Sequence, residues 1–359
     1  MTAALPVQPN KFTPQGEAYT RLREILDGSS ILVTGGTGSF GKAFIARLLD
    51  LAEPARIVVF SRDELKQYEM QQTAPFSKCS RLRFFIGDVR DQGRLDMALR
   101  GVDTVIHAAA MKHVPAAEYN PFECIHTNVL GAENIVQASL RNDVKRVLAL
   151  STDKAVNPVN LYGASKLAAD KIFVAANNLS GRHRTHFSVV RYGNVLGSRG
   201  SVVPFFARLI AEGADSLPIT DERMTRFWIT INQGVDFVLS SLMDMDGGEV
   251  FVPKIPSMRI TDLAKAMAPH LPHRVIGIRP GEKLHEAMIS EDDARNTLEF
   301  ADRHVIRPTY FNYPFAEPAD QNGIPEGARQ VPELFTYSSD TNTEWLGLDE
   351  MRALMDQRC

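Results

Sequence analysis

A tyrosine and a lysine four residues apart, Tyr162 and Lys166, share one face of any helix that carries them. A tyrosine is a poor base at neutral pH, because its unperturbed pKa is about 10. A lysine ammonium about 5 Å away, at an effective dielectric of about 20, favours the phenolate by roughly 3 kcal/mol, or about two pKa units. That shift makes Tyr162 a usable proton acceptor near neutrality. Ser151-Thr152-Asp153-Lys154 precedes the pair and closes the apolar run Val147–Leu150. Thr152 adds a hydroxyl, and Asp153 with Lys154 puts an acid beside an amine, a second proton-transfer set. On an arbitrary helix Tyr162 and Lys166 form a solvated face, and Asp153–Lys154 a strand-end salt bridge. Both sets together, at the end of a strand and downstream of a glycine-rich turn, point to chemistry.

Such groups need a scaffold that brings strand ends together. Ser30–Thr34 reads as a buried strand, followed by Gly35-Gly36-Thr37-Gly38-Ser39-Phe40-Gly41 and a helix through Ala43, Phe44 and Leu48. Glycines at i, i+3 and i+6 between strand and helix let the backbone approach a pyrophosphate at the helix N-terminus. Further strands are expected at 56–60, 82–86, 102–110, 144–152 and 187–192, with helical stretches between them. One long helix is expected over 118–142. This alternation predicts an α/β fold, a doubly wound, Rossmann-like parallel sheet. Residues 1–192 form the dinucleotide-binding domain, with a returning segment at about 229–254 that carries a strand at 247–252. Residues 193–359 form a smaller C-terminal substrate-binding part with a proline-rich irregular arm at 308–335. A helix at 17–27 carries Leu22, Ile25 and Leu26 on one face, to be covered by its own chain or by another subunit.

The second strand ends in Ser61 and Arg62, with Lys66 one helical turn on. NAD sites usually carry an acid there for the ribose 2′-hydroxyl. A hydroxyl, a guanidinium and an ammonium suit a 2′-phosphate, so NADP is the expected cofactor. Asp63 stands one position too late to be the usual acid. Asp88 and Val89 end the third strand, where Asp88 can meet an adenine amino group. Ala108, Ala109 and Ala110 leave room for a flat cofactor. Lys112 can reach cofactor or substrate, with His113 beside it, and Asn128 is assigned to the cofactor side near the active site. Beyond Tyr192 come Asn194, Arg199, Val202, Arg223, Arg226, Arg279 and Glu282. Several guanidinium groups after a complete dinucleotide domain suit a diphosphate-bearing substrate.

The 359 residues carry a formal net charge of −3 and are 44% hydrophobic. The length gives ample core, and the charge gives no reason to expect nucleic acid or an anionic membrane as partner. Cys79, Cys124 and Cys359 lack metal-ligand spacing and read as reduced thiols, so a cytoplasmic location and no metal are expected. No apolar run approaches the roughly 20 residues needed to span a bilayer.

Thr152, Tyr162 and Lys166 after Gly35-x-x-Gly38-x-x-Gly41 resemble the extended short-chain dehydrogenase/reductases. More narrowly, Ser61–Gln67, Met111–Pro115, Ser151–Lys154, Arg191–Asn194, Arg223–Trp228 and Arg279–His285 resemble the inverting UDP-N-acetylglucosamine 4,6-dehydratases of the pseudaminic acid pathway. The resemblance implies UDP-N-acetylglucosamine as substrate, with its diphosphate on some of Arg199, Arg226 and Arg279. It also implies a homo-oligomer, from dimer to hexamer. Tyr162, helped by Lys166 and Thr152, would remove the proton of the sugar 4-hydroxyl while hydride passes to NADP. Lys154, neutral at that moment, would take the carbon 5 proton, and Asp153 would protonate the departing 6-hydroxyl. Hydride would return to carbon 6, and carbon 5 would be reprotonated on the opposite face. The retaining dehydratases carry glutamate where Lys154 stands. Two other readings are a sugar-nucleotide epimerase or reductase on the same fold, and a non-catalytic NADP-sensing protein. The first does not need the Asp153–Lys154 pair, and the second has no reason to keep Thr152, Tyr162 and Lys166 together.

Overall fold

The computed structural model describes residues 10–181, 185–198, 200–309 and 323–356. Its centre is a sheet whose first six strands in chain order are β1 (Ser30–Thr34), β2 (Arg56–Ser61), β3 (Leu82–Ile86), β4 (Thr104–His107), β5 (Arg146–Thr152) and β6 (His186–Tyr192). They lie in the order 3-2-1-4-5-6, all parallel. The order reverses between β1 and β4, the place where doubly wound sheets open a crevice for ligands. All five residues of β1 are buried, as a strand covered on both faces requires.

The returning strand forms at Val250–Pro253 and pairs parallel with β6. Antiparallel strands Arg303–Ile306, Thr297–Glu299 and Arg329–Gln330 extend the sheet beyond it. The helix Ser39–Leu51 packs on Ile231–Asp244, and Gly131–Arg141 packs on Leu161–Ala176. The N-terminal helix, Gly16–Leu26, is covered by its own chain: Leu22 and Leu26 are buried, and the helix lies on Ile231–Asp244.

The helix expected over 118–142 is broken. Val114–Tyr119 and Pro121–Ile125 are separate, and one π turn, His126–Leu130, precedes Gly131–Arg141. Pro121 has no N–H with which to continue the preceding helix. Tyr119 and Phe122 stand exposed on the two short pieces.

A second apolar cluster, with Phe206, Leu217, Ile219, Trp228 and Leu263 at its heart, lies in the C-terminal part. Each such side chain contributes about 1.5–3 kcal/mol by burial. Met351, from the helix Leu348–Asp356, completes it. Of the proline-rich arm, residues 310–322 lie outside the described residues. After it, Tyr337–Ser338 pairs antiparallel with Ala287–Ile289. No helix among the described residues is long and apolar enough to cross a membrane.

Candidate active site

The crevice at the ends of β1 and β4–β6 is a cavity of about 1190 Å³ lined from both parts of the chain. Its first wall is backbone. Gly35 has φ +64°, and a Cβ there would lie 3.0–3.1 Å from the main chain of Ala108 and Ala109. A Cβ on Gly41 would come within 2.5 Å of Gly36 Cα, so only glycine lets the helix start this close under the turn. Gly38 precedes the helix and donates its N–H to Gly35 O at 2.8 Å. Thr37, Ser39, Phe40 and Ala108–Ala110 also face the cavity.

Below the turn, Thr34 Oγ1 accepts from Ala108 N at 3.0 Å and Ala109 N at 3.1 Å. The same hydroxyl meets His107 Nδ1 at 2.9 Å. Burial, with Lys166 as a lesser cause, pushes the His107 pKa down to about 3, so the ring is neutral.

At the far end of β2, Ser61, Arg62, Lys66, Asp88 and Val89 line the cavity. Asp63 caps the helix Glu64–Gln71, accepting from Lys66 N at 3.0 Å and pairing with Lys66 Nζ at 2.6 Å. These bonds hold its carboxyl below the usual range. Arg62 stays open, with Asp88 3.5 Å away.

The centre of the site is charged. Lys154 Nζ lies 3.0 Å from Asp153 Oδ1, 3.2 Å from Asn194 Oδ1 and 3.4 Å from Glu286 Oε1. Burial works against its charge, but Asp153 and Glu286 outweigh burial and raise its pKa above the ordinary value. The resting Lys154 is therefore an ammonium. Thr152 Oγ1 donates to Asp153 Oδ1 at 2.8 Å. Asp153 is fully buried behind Lys154 and off the cavity wall.

Tyr162 and Lys166 share a face of the helix Leu161–Ala176, which starts with Asn160 accepting from Gly163 N at 2.7 Å. Both line the cavity with Thr152. The electrostatics differ from the sequence expectation. Burial pushes the Tyr162 phenol up to about 12, and the cation that opposes it is Lys154. Lys166 donates to Leu150 O at 2.7 Å, and burial lowers its own pKa. A helical spacing fixes which face two groups share, but not where a flexible ammonium finds its acceptor.

Residues 31–308 match the polysaccharide biosynthesis protein family Polysacc_synt_2. The chain belongs to this family. It is 58% identical over 327 residues, 91% of this chain and 97% of the relative, to a UDP-N-acetylglucosamine 4,6-dehydratase (inverting) of Campylobacter jejuni. It is 40% identical to a UDP-glucose 4-epimerase of Rickettsia canadensis, over 91% of this chain and 95% of the relative. Among solved structures, Pen from Bacillus thuringiensis aligns over 93% of this chain and 98% of its own, with TM-score 0.82 and 34% identity. DesIV, a dTDP-glucose 4,6-dehydratase of Streptomyces venezuelae with NAD and TYD bound, aligns over 71% and 86%, with TM-score 0.63 and 25% identity.

In this member of the polysaccharide biosynthesis family, the substrate side mixes residues that face the cavity with residues that do not. Lys112, His113, Asn194, Val202, Arg226, Arg279 and Glu282 line it. Arg199 lies outside the described residues. Arg223 pairs with Asp221 at 2.8 Å, away from the wall. Arg226 is buried and spends its guanidinium on the backbone, donating to Thr225 O at 2.7 Å, Lys283 O at 2.9 Å and Leu284 O at 3.1 Å. Asn128 is also off the wall. Its amide accepts from Met111 N and donates to Met111 O and Ser165 Oγ, so it positions the loop that carries Lys112 and His113. Two lining residues, Lys283 and Glu286, escaped the sequence reading, although Lys283 lay inside a motif that it used. Among the described residues no cluster of His, Cys, Asp and Glu is arranged to hold a metal.

Proposed function

We propose that this chain is a UDP-N-acetylglucosamine 4,6-dehydratase that inverts carbon 5, with NADP as its bound cofactor. The observation that carries this reading is the Asp153–Lys154 ion pair, 3.0 Å across, whose lysine lines one cavity with Thr152, Tyr162 and Lys166 while Asp153 backs it. An epimerase needs a base for one hydroxyl and no second acid–base pair. The curated inverting dehydratase at 58% identity supports the same choice over the epimerase at 40%.

The residues present fit a dinucleotide. The Gly35–Gly41 turn leaves room for a pyrophosphate where any side chain would clash. Asp63 is occupied as a helix cap and by Lys66, while Arg62 is 59% exposed, which favours a 2′-phosphate over a bare 2′-hydroxyl. Held by the Gly35–Gly41 turn and Arg62, NADP would supply a hydride acceptor and donor. Tyr162, as the phenolate that Lys154 and the Thr152 hydroxyl favour against burial, takes the proton of the 4-hydroxyl, and the resulting ketone acidifies carbon 5. A proton moving from Lys154 to Asp153 over their 3.0 Å contact converts the resting ion pair into an amine and a carboxylic acid. The amine then takes the carbon 5 proton. The acid, off the cavity wall, protonates the departing 6-hydroxyl through the Thr152 hydroxyl, which lines the wall 2.8 Å away and takes the Asp153 proton as it gives up its own. That restores the ion pair and releases water, so no proton is exchanged with solvent in the elimination. A pseudaminic acid type of surface sugar is the product class this reading implies.

Tyr162→Phe and Lys154→Ala test it, with UDP-N-acetylglucosamine and the purified holoenzyme. Tyr162→Phe loses the first step, so no reduced nicotinamide forms. Lys154→Ala takes from Tyr162 the cation that favours its phenolate but leaves the Thr152 hydroxyl, so the first step slows, elimination stalls, reduced nicotinamide builds up and turnover falls about 10²–10⁴-fold. In heavy water the wild-type product carries deuterium at carbon 5 with inverted configuration. Retained configuration there would reject the inverting reading.

A further inference from the structure

Glu286 is 3% exposed and lines the cavity. Three cations from different parts of the chain share its carboxylate: Lys283 Nζ at 3.3 Å, Lys154 Nζ at 3.4 Å and Arg226 Nε at 3.9 Å. Around Lys154, Asp153 and Asn194 supply the other acceptors, at 3.0 and 3.2 Å. Lys154 hydrogen-bonds Asp153 and Asn194 and faces Glu286 as an ion pair. Asp153 is its neighbour in sequence, Asn194 follows β6, and Glu286 comes from the loop before the strand Ala287–Ile289.

We propose that Glu286 is the positioning residue of Lys154, holding Nζ at the cavity wall and stabilising the positive charge that Lys154 gains on taking a proton from substrate. The inference rests on Lys154 being the carbon 5 base. An amine that takes a proton from carbon passes from neutral to cationic. A fixed carboxylate beside it opposes the transfer of the Lys154 proton to Asp153 by about as much as it favours recapture of a proton from carbon, so its contribution is the placement of Nζ and the return of the ion pair. Even screened as in water, a unit charge lost at this distance changes either equilibrium by about tenfold.

The other two cations make the carboxylate necessary. Lys283 Nζ donates to Val156 O at 2.6 Å, and the Arg226 guanidinium is bonded to three main-chain carbonyls. Both are anchored by the backbone whatever the state of Glu286. With that carboxylate neutral, two fixed positive charges would face Lys154 and oppose its protonation. Glu286 is itself held by its main chain. Its N–H donates to Ser339 Oγ at 3.0 Å and its carbonyl accepts from Ser339 N at 2.8 Å. Glu286→Gln therefore keeps the volume and the backbone anchor and removes the charge.

The test compares Glu286→Gln, Glu286→Asp and Lys154→Ala holoenzymes with UDP-N-acetylglucosamine. Glu286→Gln is expected to reproduce the Lys154→Ala signature: reduced nicotinamide accumulates, and carbon 5 deuterium exchange falls by about tenfold or more, as for a misplaced base. KM stays near wild type, the melting temperature falls because Arg226 and Lys283 lose their buried counter-ion, and Glu286→Asp recovers part of the exchange. If Lys154→Ala accumulates reduced nicotinamide and Glu286→Gln does not, the role of Glu286 is refuted and the base assignment stands. A uniform loss through every step overturns it in favour of a purely structural role. A raised KM with normal exchange would make it a substrate ligand instead. If Lys154→Ala shows no accumulation, the base assignment falls, and the role of Glu286 with it.

Discussion

Arg62 and Arg226 line one cavity from opposite parts of the chain, with side chains 59% and 8% exposed. Arg62 stands at the end of β2 with one loose carboxylate partner, Asp88. Arg226 donates to three main-chain carbonyls and packs beside Glu286. The contrast extends to their surroundings. The nucleotide side is shaped by main chain, with glycines where Cβ atoms would collide and Thr34 stitching β1 to the end of β4. The substrate side is shaped by buried charges that satisfy one another. A guanidinium in a cavity is thus either a ligand group in waiting or a strut, and its existing hydrogen bonds decide which.

The largest test of this contrast is Arg226→Ala. Losing a strut leaves carbonyls and Glu286 without their donor, and breaking such a buried charged set costs about 3–5 kcal/mol. The expected outcome is a clear drop in denaturant midpoint, larger than any change that KM alone reports. Wild-type stability with a raised KM would return Arg226 to the phosphate ligands.

Arg62→Ala is expected to leave stability within about 0.5 kcal/mol, as for other exposed side chains. It should weaken NADP by about 1.5–3 kcal/mol, the worth of a hydrogen bond to a charged group. NAD affinity should barely change, and titration calorimetry with both dinucleotides reads the difference. Equal losses for NADP and NAD would erase the distinction drawn for Arg62.

The smallest effect is silent at neutral pH. His107 is neutral in the fold with a pKa of about 3, below its ordinary 6.5. The unfolded chain therefore takes up the proton first as pH falls. Stability from this group is complete above about 6.5 and is lost as pH drops towards 3. His107→Asn is expected to flatten the acid side of the stability profile between those values. An unchanged acid slope would show that the nucleotide side does not depend on this neutral ring.

The nucleotide side was legible in the sequence because its causes are local. A glycine triplet between an apolar strand and a helix has a steric meaning that needs no other part of the chain. Tyr162 and Lys166 were legible for the same reason, since helical spacing puts them on one face. The end of β4 was not. The strand was expected to run to residue 110, but the Ala108 and Ala109 N–H groups go to the Thr34 hydroxyl instead of a ladder. Lys166 was placed correctly, but its charge was credited to Tyr162, because the Leu150 carbonyl that takes it is set by packing. Glu286 escaped because its partner Lys154 lies on the far side of the whole β6 and Ile231–Asp244 region of the sequence. No pattern in either stretch announces a contact of that kind.

The bond between Ser339 and Glu286 also sets an order of assembly during synthesis. A ribosome delivers Gly35–Gly41, Thr152, Tyr162 and Lys166 together with every strand from β1 to β6 before residue 193 is made. The carboxylate facing Lys154 arrives far later, and the hydroxyl that fixes its main chain later still, after the proline-rich arm. The growing polypeptide thus owns its dinucleotide cradle long before it owns a completed acid–base centre. Asp153, Lys154, Tyr162 and Lys166 are all in hand early, while the Glu286 carboxylate beside Lys154 waits for nearly the last stretch of translation.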